Sequence, residues 1–176
     1  MTLWVFGYGS LLWDPGFEVA ESVIATLPGY ARSFCMHSIH HRGTEAEPGL
    51  VLALDRQPDH ACDGLALRVA PGREEDTLAY LRARELISSA YVEKTLDVQL
   101  RDGRSLPALV YVINEEHWQY CGGMPLEDQA RIIARARGGR GPNTEYLYNT
   151  AEHLAAVGLT DPAIDWLHQR VRQIVS

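Results

Sequence analysis

The chain has 176 residues, 46% of them hydrophobic, and a formal net charge of −7. That length and apolar content are enough for one domain with a real core and exclude a disordered chain, while the acidic balance excludes a nucleic-acid partner, since such binders draw their affinity from clustered Lys and Arg. Cys35, Cys62 and Cys121 are widely spaced and form no C-x-x-C pair, which points away from a disulfide framework or zinc module and toward a reducing, cytoplasmic setting. The sequence shows no basic leader and no apolar run near the roughly 20 residues of a membrane helix.

In chain order, Leu3–Phe6 is an apolar strand stopped by Gly7, and Gly7 and Gly9 frame a turn whose bare N–H groups can approach a small anionic ligand. Ser22–Leu27 and Ala31–Ile39 are rich in β-branched and aromatic residues and are expected as two strands, separated by Pro28-Gly29. Leu50–Leu54 and Gly64–Val69 are expected to form a hairpin around the polar loop Asp55–His60. Pro71-Gly72 opens a helix with Glu74, Glu75 and Asp76 in its first turn, running to about Leu86.

Leu96, Val98 and Leu100 alternate with polar residues, Asp102-Gly103 supplies a turn, and Leu106–Ile113 returns as the partner strand. A second helix starts at Pro125 and is closed by Gly138 and Gly139; a third is capped by Asn143 or Thr144 and stops at Gly158. Asp161-Pro162 caps a fourth, with Ile164, Leu167, Val171 and Ile174 on one face. Strands early, helices late and no regular strand–helix alternation predict one α+β domain over residues 1–176, with a mostly antiparallel sheet or small barrel.

Glu85 is out of place. At about 100° per residue it falls between Leu78 and Leu81, inside the apolar stripe of its helix. Two readings stay open: an outward-turned carboxylate paired with Arg82, or a partly buried one whose raised pKa suits it to shuttle protons. His37, His40 and His41 near Cys35 suggest a metal, but an extended segment points His37 and His40 to opposite faces, so no metal is expected. Nor is a nucleotide, because Leu12 stands where a third glycine is needed and Asp14-Pro15-Gly16 interrupts the helix that should follow.

Taken together, Val5-Phe6-Gly7-Tyr8-Gly9-Ser10-Leu11, His41-Arg42-Gly43, Tyr80-Leu81-x-x-Arg84-Glu85 and Asn143-Thr144-Glu145-Tyr146-Leu147 resemble, in order along nearly the whole chain, the ChaC-like γ-glutamylcyclotransferases. The resemblance implies a small mixed, mostly antiparallel β-barrel with flanking helices. It also implies cleavage of glutathione to 5-oxoproline and cysteinylglycine, with no metal or other cofactor. It carries the catalytic role onto Glu85 and substrate binding onto Val5, Phe6, Gly7, Tyr8, Gly9, Ser10 and Leu11. A substrate ending in a glycine carboxylate calls for a guanidinium, for which Arg42 is the candidate and Arg140 a second, and Tyr146 offers a hydroxyl. Alternatives are a cyclotransferase for other γ-glutamyl amines or amino acids, and a non-catalytic γ-glutamyl-binding module.

Overall fold

The structure, a computed structural model, describes residues 2–176. Its elements are β1 (Trp4–Gly7), a single 3-10 turn (Ser10–Leu12), β2 (Val19–Ser38), β3 (Gly49–Val69), α1 (Glu74–Glu85), β4 (Tyr91–Leu100), β5 (Ser105–Ile113), α2 (Leu126–Arg135), β6 (Arg137–Gly138), β7 (Gly141–Pro142), α3 (Asn143–Ala156) and α4 (Pro162–Val175). Strands β1–β5 close a mixed barrel in the order β1-β3-β2-β4-β5, with β1 antiparallel to β3 and parallel to β5. The expected α+β barrel is therefore the fold. The chain divides into two compact units: the N-terminal part to Arg32 with Leu54–Trp118, and Ser33–Ala53 with Gln119–Ser176.

In the first unit, side-chain alternation sorts each strand between two apolar layers. Phe6, Ala25, Leu27, Tyr30, Leu54, Ala66, Val98, Val110 and Val112, drawn from all five strands, fill the barrel. Val5, Leu11, Val69, Leu81, Leu109 and Tyr111 form a second cluster that attaches α1 and the glycine turn, with Leu3, Phe17, Leu78 and Leu86 packed against it. The β4–β5 hairpin has the expected register, Val98 opposite Leu106, and turns at Gly103 with φ +99°.

Three expectations are corrected. Pro28-Gly29 does not separate two strands: Gly29, at φ +84°, bends a continuous β2 that keeps pairing on both sides. Asp55–His60 is no hairpin loop but the exposed middle of a continuous β3, whose backbone is held by its neighbours β1 and β2 whatever its side chains. And α2 ends at Arg135, before the glycines, which lie in or beside the small β6–β7 hairpin.

In the second unit, Asp161 caps α4 as expected, its carboxylate accepting from the amides of Ala163 (3.1 Å) and Ile164 (3.2 Å). Asn143 behaves differently from the expected cap. It is the fully buried first residue of α3, and its side chain imitates a strand, accepting from the Leu50 amide at 2.8 Å and donating to the Leu50 carbonyl at 2.9 Å. Replacing it by Ala strands two buried backbone groups at once. We expect Asn143→Ala to lower unfolding stability by about 2–5 kcal/mol, and Asn143→Asp, which retains the acceptor, by less, as read by urea melts.

Candidate active site

Strand β1 delivers the chain to its glycine turn. In the 3-10 turn that follows, the first donors are Leu12, to Gly9 (2.9 Å), and Trp13, to Ser10 (3.3 Å), so the amides of Ser10 and Leu11 precede the hydrogen-bonded run. Gly7 is needed on packing grounds, because a Cβ there lies 3.2 Å from Leu11 Cβ and 3.3 Å from its carbonyl carbon. A Cβ on Gly9 meets no protein atom within 4 Å, so the space in front of it is open to a ligand. Arg32 steadies the turn from beneath, its Nε donating to the Tyr8 carbonyl at 2.7 Å.

Glu85 is the last residue of α1, and its side chain keeps only 18% of its exposure. Burial pushes its carboxyl above the usual glutamate range, opposed by the positive charge of Arg84, whose Nε lies 3.4 Å from Oε1. Its position at a helix C-terminus, where carbonyl dipoles gather negative charge, acts in the same direction as burial. The outward pairing with Arg82 does not occur: that guanidinium forks onto Glu93 of β4, with both bonds at 3.0 Å. Glu93 also accepts from the Tyr111 hydroxyl at 2.9 Å. Tyr111 is electrostatically coupled to Glu85, and its phenol is driven far upward, first by burial, then by its bond to Glu93 and the charges of Glu93 and Glu85.

Arg84 joins turn and acid. Nη1 donates to the carbonyls of Asp14 (2.8 Å) and Pro15 (3.2 Å) and to the Tyr80 hydroxyl (3.1 Å), while Nη2 donates to Ser10 Oγ (2.9 Å). One side chain thus spans from the glycine turn to Glu85. Of the other residues expected here, Val5 and Phe6 are wholly buried in the two apolar layers, which leaves a ligand only their backbone.

Arg42 and Tyr146 belong to the second unit and contact each other, the guanidinium 5.8 Å from the ring centroid. There Arg42 donates to the Pro142 carbonyl at 3.1 Å and lies 3.6 Å from Glu145, and Tyr146 accepts from the Leu52 amide at 3.1 Å. Arg140 is in the same unit, its amide donating to the His41 carbonyl at 2.9 Å. Among the described residues no group of three or more His, Cys, Asp or Glu side chains is placed to hold a metal ion, and no helix is long and apolar enough to cross a membrane.

The sequence reading missed the roles of Arg84, Glu93 and Tyr111. The one local signal was the i, i+4 spacing of Tyr80 and Arg84; their loop partners lie about 70 positions away.

Among solved structures, a crystal structure of a yeast γ-glutamyl cyclotransferase specific to glutathione aligns with a TM-score of 0.85 over 100% of both chains, at 24% identity, which places the fold in the class of γ-glutamylcyclotransferase-type barrels. The YkqA structure from Bacillus subtilis shares the architecture more loosely, with a TM-score of 0.64 at 17% identity, covering 97% of this chain and 54% of that one. The chain belongs to the ChaC-like protein family, whose profile matches residues 3–174. It is 37% identical to γ-glutamylcyclotransferase 2-3 of Arabidopsis thaliana across 100% of this chain and 92% of that protein. It is 33% identical to the glutathione-specific γ-glutamylcyclotransferase of Escherichia coli strain K12, across 99% of this chain and 74% of that one.

A glutamate whose folded-state pKa is raised destabilises the fold once it ionises. The penalty is absent below the unfolded pKa of about 4.3 and complete above the folded value. We therefore expect Glu85→Gln to raise Tm at pH 7–8, with the gain shrinking to nothing below about pH 4; thermal melts across that range measure it.

Proposed function

We propose that this chain is a glutathione-specific γ-glutamylcyclotransferase. The observation that carries the reading is a largely buried carboxylate of raised pKa, tied through one guanidinium to a glycine turn with open space before it. The α-amine of the γ-glutamyl group attacks its own γ-carbonyl carbon; the new C–N bond closes the five-membered lactam, and the amide bond to cysteinylglycine breaks. The attacking nitrogen starts as an ammonium and ends as a lactam N–H, so it sheds two protons. Glu85 takes each of them and passes it to the departing nitrogen, which leaves as an ammonium. The products are 5-oxoproline and cysteinylglycine, with no net proton change.

A raised pKa suits both halves of that shuttle near neutral pH. The nucleophile is tethered to its target, so holding the glutamyl arm curled is the larger task, and orientation of this kind contributes on the order of 7–11 kcal/mol at best. The amides of the turn grip the α-carboxylate or the developing oxyanion, an approach that a side chain at Gly9 blocks. These residues address the γ-glutamyl half of the substrate, and other γ-glutamyl amines share that half.

The assay is 5-oxoproline release from glutathione beside γ-glutamyl dipeptides. We expect release from glutathione in preference to the dipeptides, and a loss of about 10²–10⁴-fold in Glu85→Gln with binding retained. A fully active Glu85→Gln protein rules out the mechanism, and equal turnover of the dipeptides rules out the specificity. Gly9→Val is expected to abolish turnover while leaving the circular dichroism spectrum unchanged.

A further inference from the structure

We propose that Arg84 is a positioning residue of this site, pinning the loop after the glycine turn to the last turn of α1 and holding its positive charge against Glu85. The inference rests on the function proposed above and assigns that site a second working part. Arg84's hydrogen bonds reach the loop at Ser10, Asp14 and Pro15 and its own helix at Tyr80, and its remaining nitrogen faces Glu85. Only a planar fork with five N–H groups can serve that many acceptors in fixed directions; a lysine ammonium has three donors on one atom.

The loop is shaped to receive this clamp. Gly16 has φ +76°, and a Cβ there overlaps the Tyr80 hydroxyl, so the ring that accepts from Arg84 also lies directly on the loop backbone. Leu11 and Phe17, on either side of the clamped stretch, pack in the α1 cluster, which fixes its ends while Arg84 fixes its middle.

The charges around Glu85 leave this work to Arg84. From α1 itself, Arg82 is committed to Glu93 through both carboxylate oxygens. From β5, Tyr111 presents a neutral phenol whose proton is donated to Glu93, and Glu93 on β4 is an anion held below the usual glutamate range by Arg82. Arg84 is the cation whose charge opposes the burial of Glu85. Position and charge are separable functions, and the two can be tested apart.

The experiment compares wild type, Arg84→Met and Arg84→Lys by the pH dependence of kcat/KM for 5-oxoproline release, by KM and kcat separately, and by hydrogen exchange of the amides in residues 10–16. Glu85 must be ionised to accept a proton, so activity falls on the acid side as it protonates. Removing the charge raises its pKa further, and in Arg84→Met the acid limb is expected to move to higher pH. kcat/KM at neutral pH is expected to drop roughly ten- to hundredfold, the scale of one or two lost charge-assisted hydrogen bonds. Arg84→Lys keeps the charge and loses the fork: its acid limb stays near wild type, while KM rises and exchange in 10–16 accelerates.

An acid limb and loop exchange unchanged in Arg84→Met overturn the proposal even if wild type is active, and a limb displaced equally in Arg84→Lys overturns the separation of charge from clamp. If wild type releases no 5-oxoproline, the functional reading fails. The loop exchange rates and a carbon-13 NMR titration of Glu85 in the three proteins then decide the role of Arg84 alone.

Discussion

The site depends on one apolar contact set: Val5 of β1, Leu11 of the turn, Val69 of β3, Leu81 of α1, and Leu109 and Tyr111 of β5. Each fully buried aliphatic side chain in such a cluster is worth about 1.5–3 kcal/mol, so together they set where α1 lies on the sheet. Leu81 has no exposure at all and stands one turn before Glu85, and Leu11 is one residue after Ser10. The carboxylate and the turn are therefore brought to the same patch by greasy neighbours before any polar contact is made. Polar contacts then refine the distance: Arg84 reaches from one to the other, and Arg32 holds the Tyr8 carbonyl.

That placement is locally unfavourable for Glu85. A carboxylate belongs near a helix N-terminus and in water; this one sits at a C-terminus with most of its surface covered. Glu74, Glu75 and Asp76 in the first turn of the same helix show the ordinary arrangement. A residue that goes against both dipole and solvation on a helix that otherwise obeys them marks where stability has yielded to another requirement. The same contrast made Glu85 visible in the sequence, because the heptad-like spacing from Leu78 and Leu81 is a local property of the chain.

Legibility followed the range of the interactions involved. The β4–β5 hairpin and the Asp161 cap were readable because turn residue, cap and partner lie within a few positions of one another. The long strands were not: Pro28-Gly29 and Asp55–His60 carry genuine turn chemistry, and it is overruled by backbone pairing with neighbours that the local sequence does not reveal. Asn143 looked like a cap because its residue type caps helices, yet its partner is the backbone of Leu50, 93 positions earlier. The spacing of Arg82 and Glu85 suggested a helical pair, but Glu93 offers Arg82 two oxygens in a geometry that an i, i+3 neighbour does not match.

The neighbours of Glu85 also bear on how protons move in the proposed reaction. Arg84 is a permanent cation and cannot release a proton to the leaving nitrogen. Tyr111 has its hydroxyl proton on Glu93 and a pKa raised well beyond the working range, so it neither ionises as a base nor frees that proton as an acid. Glu93 is bound on both oxygens by Arg82, which stabilises its ionised form and opposes its protonation. Each polar group coupled to Glu85 is thus fixed in one protonation state, and Glu85 alone has its pKa moved toward neutrality. A cyclisation in which one nitrogen sheds two protons and another gains two needs a single group that can accept and return them in turn; a second titrating group beside it would trap a proton between the steps. The surrounding network is arranged to keep that exchange on one carboxylate.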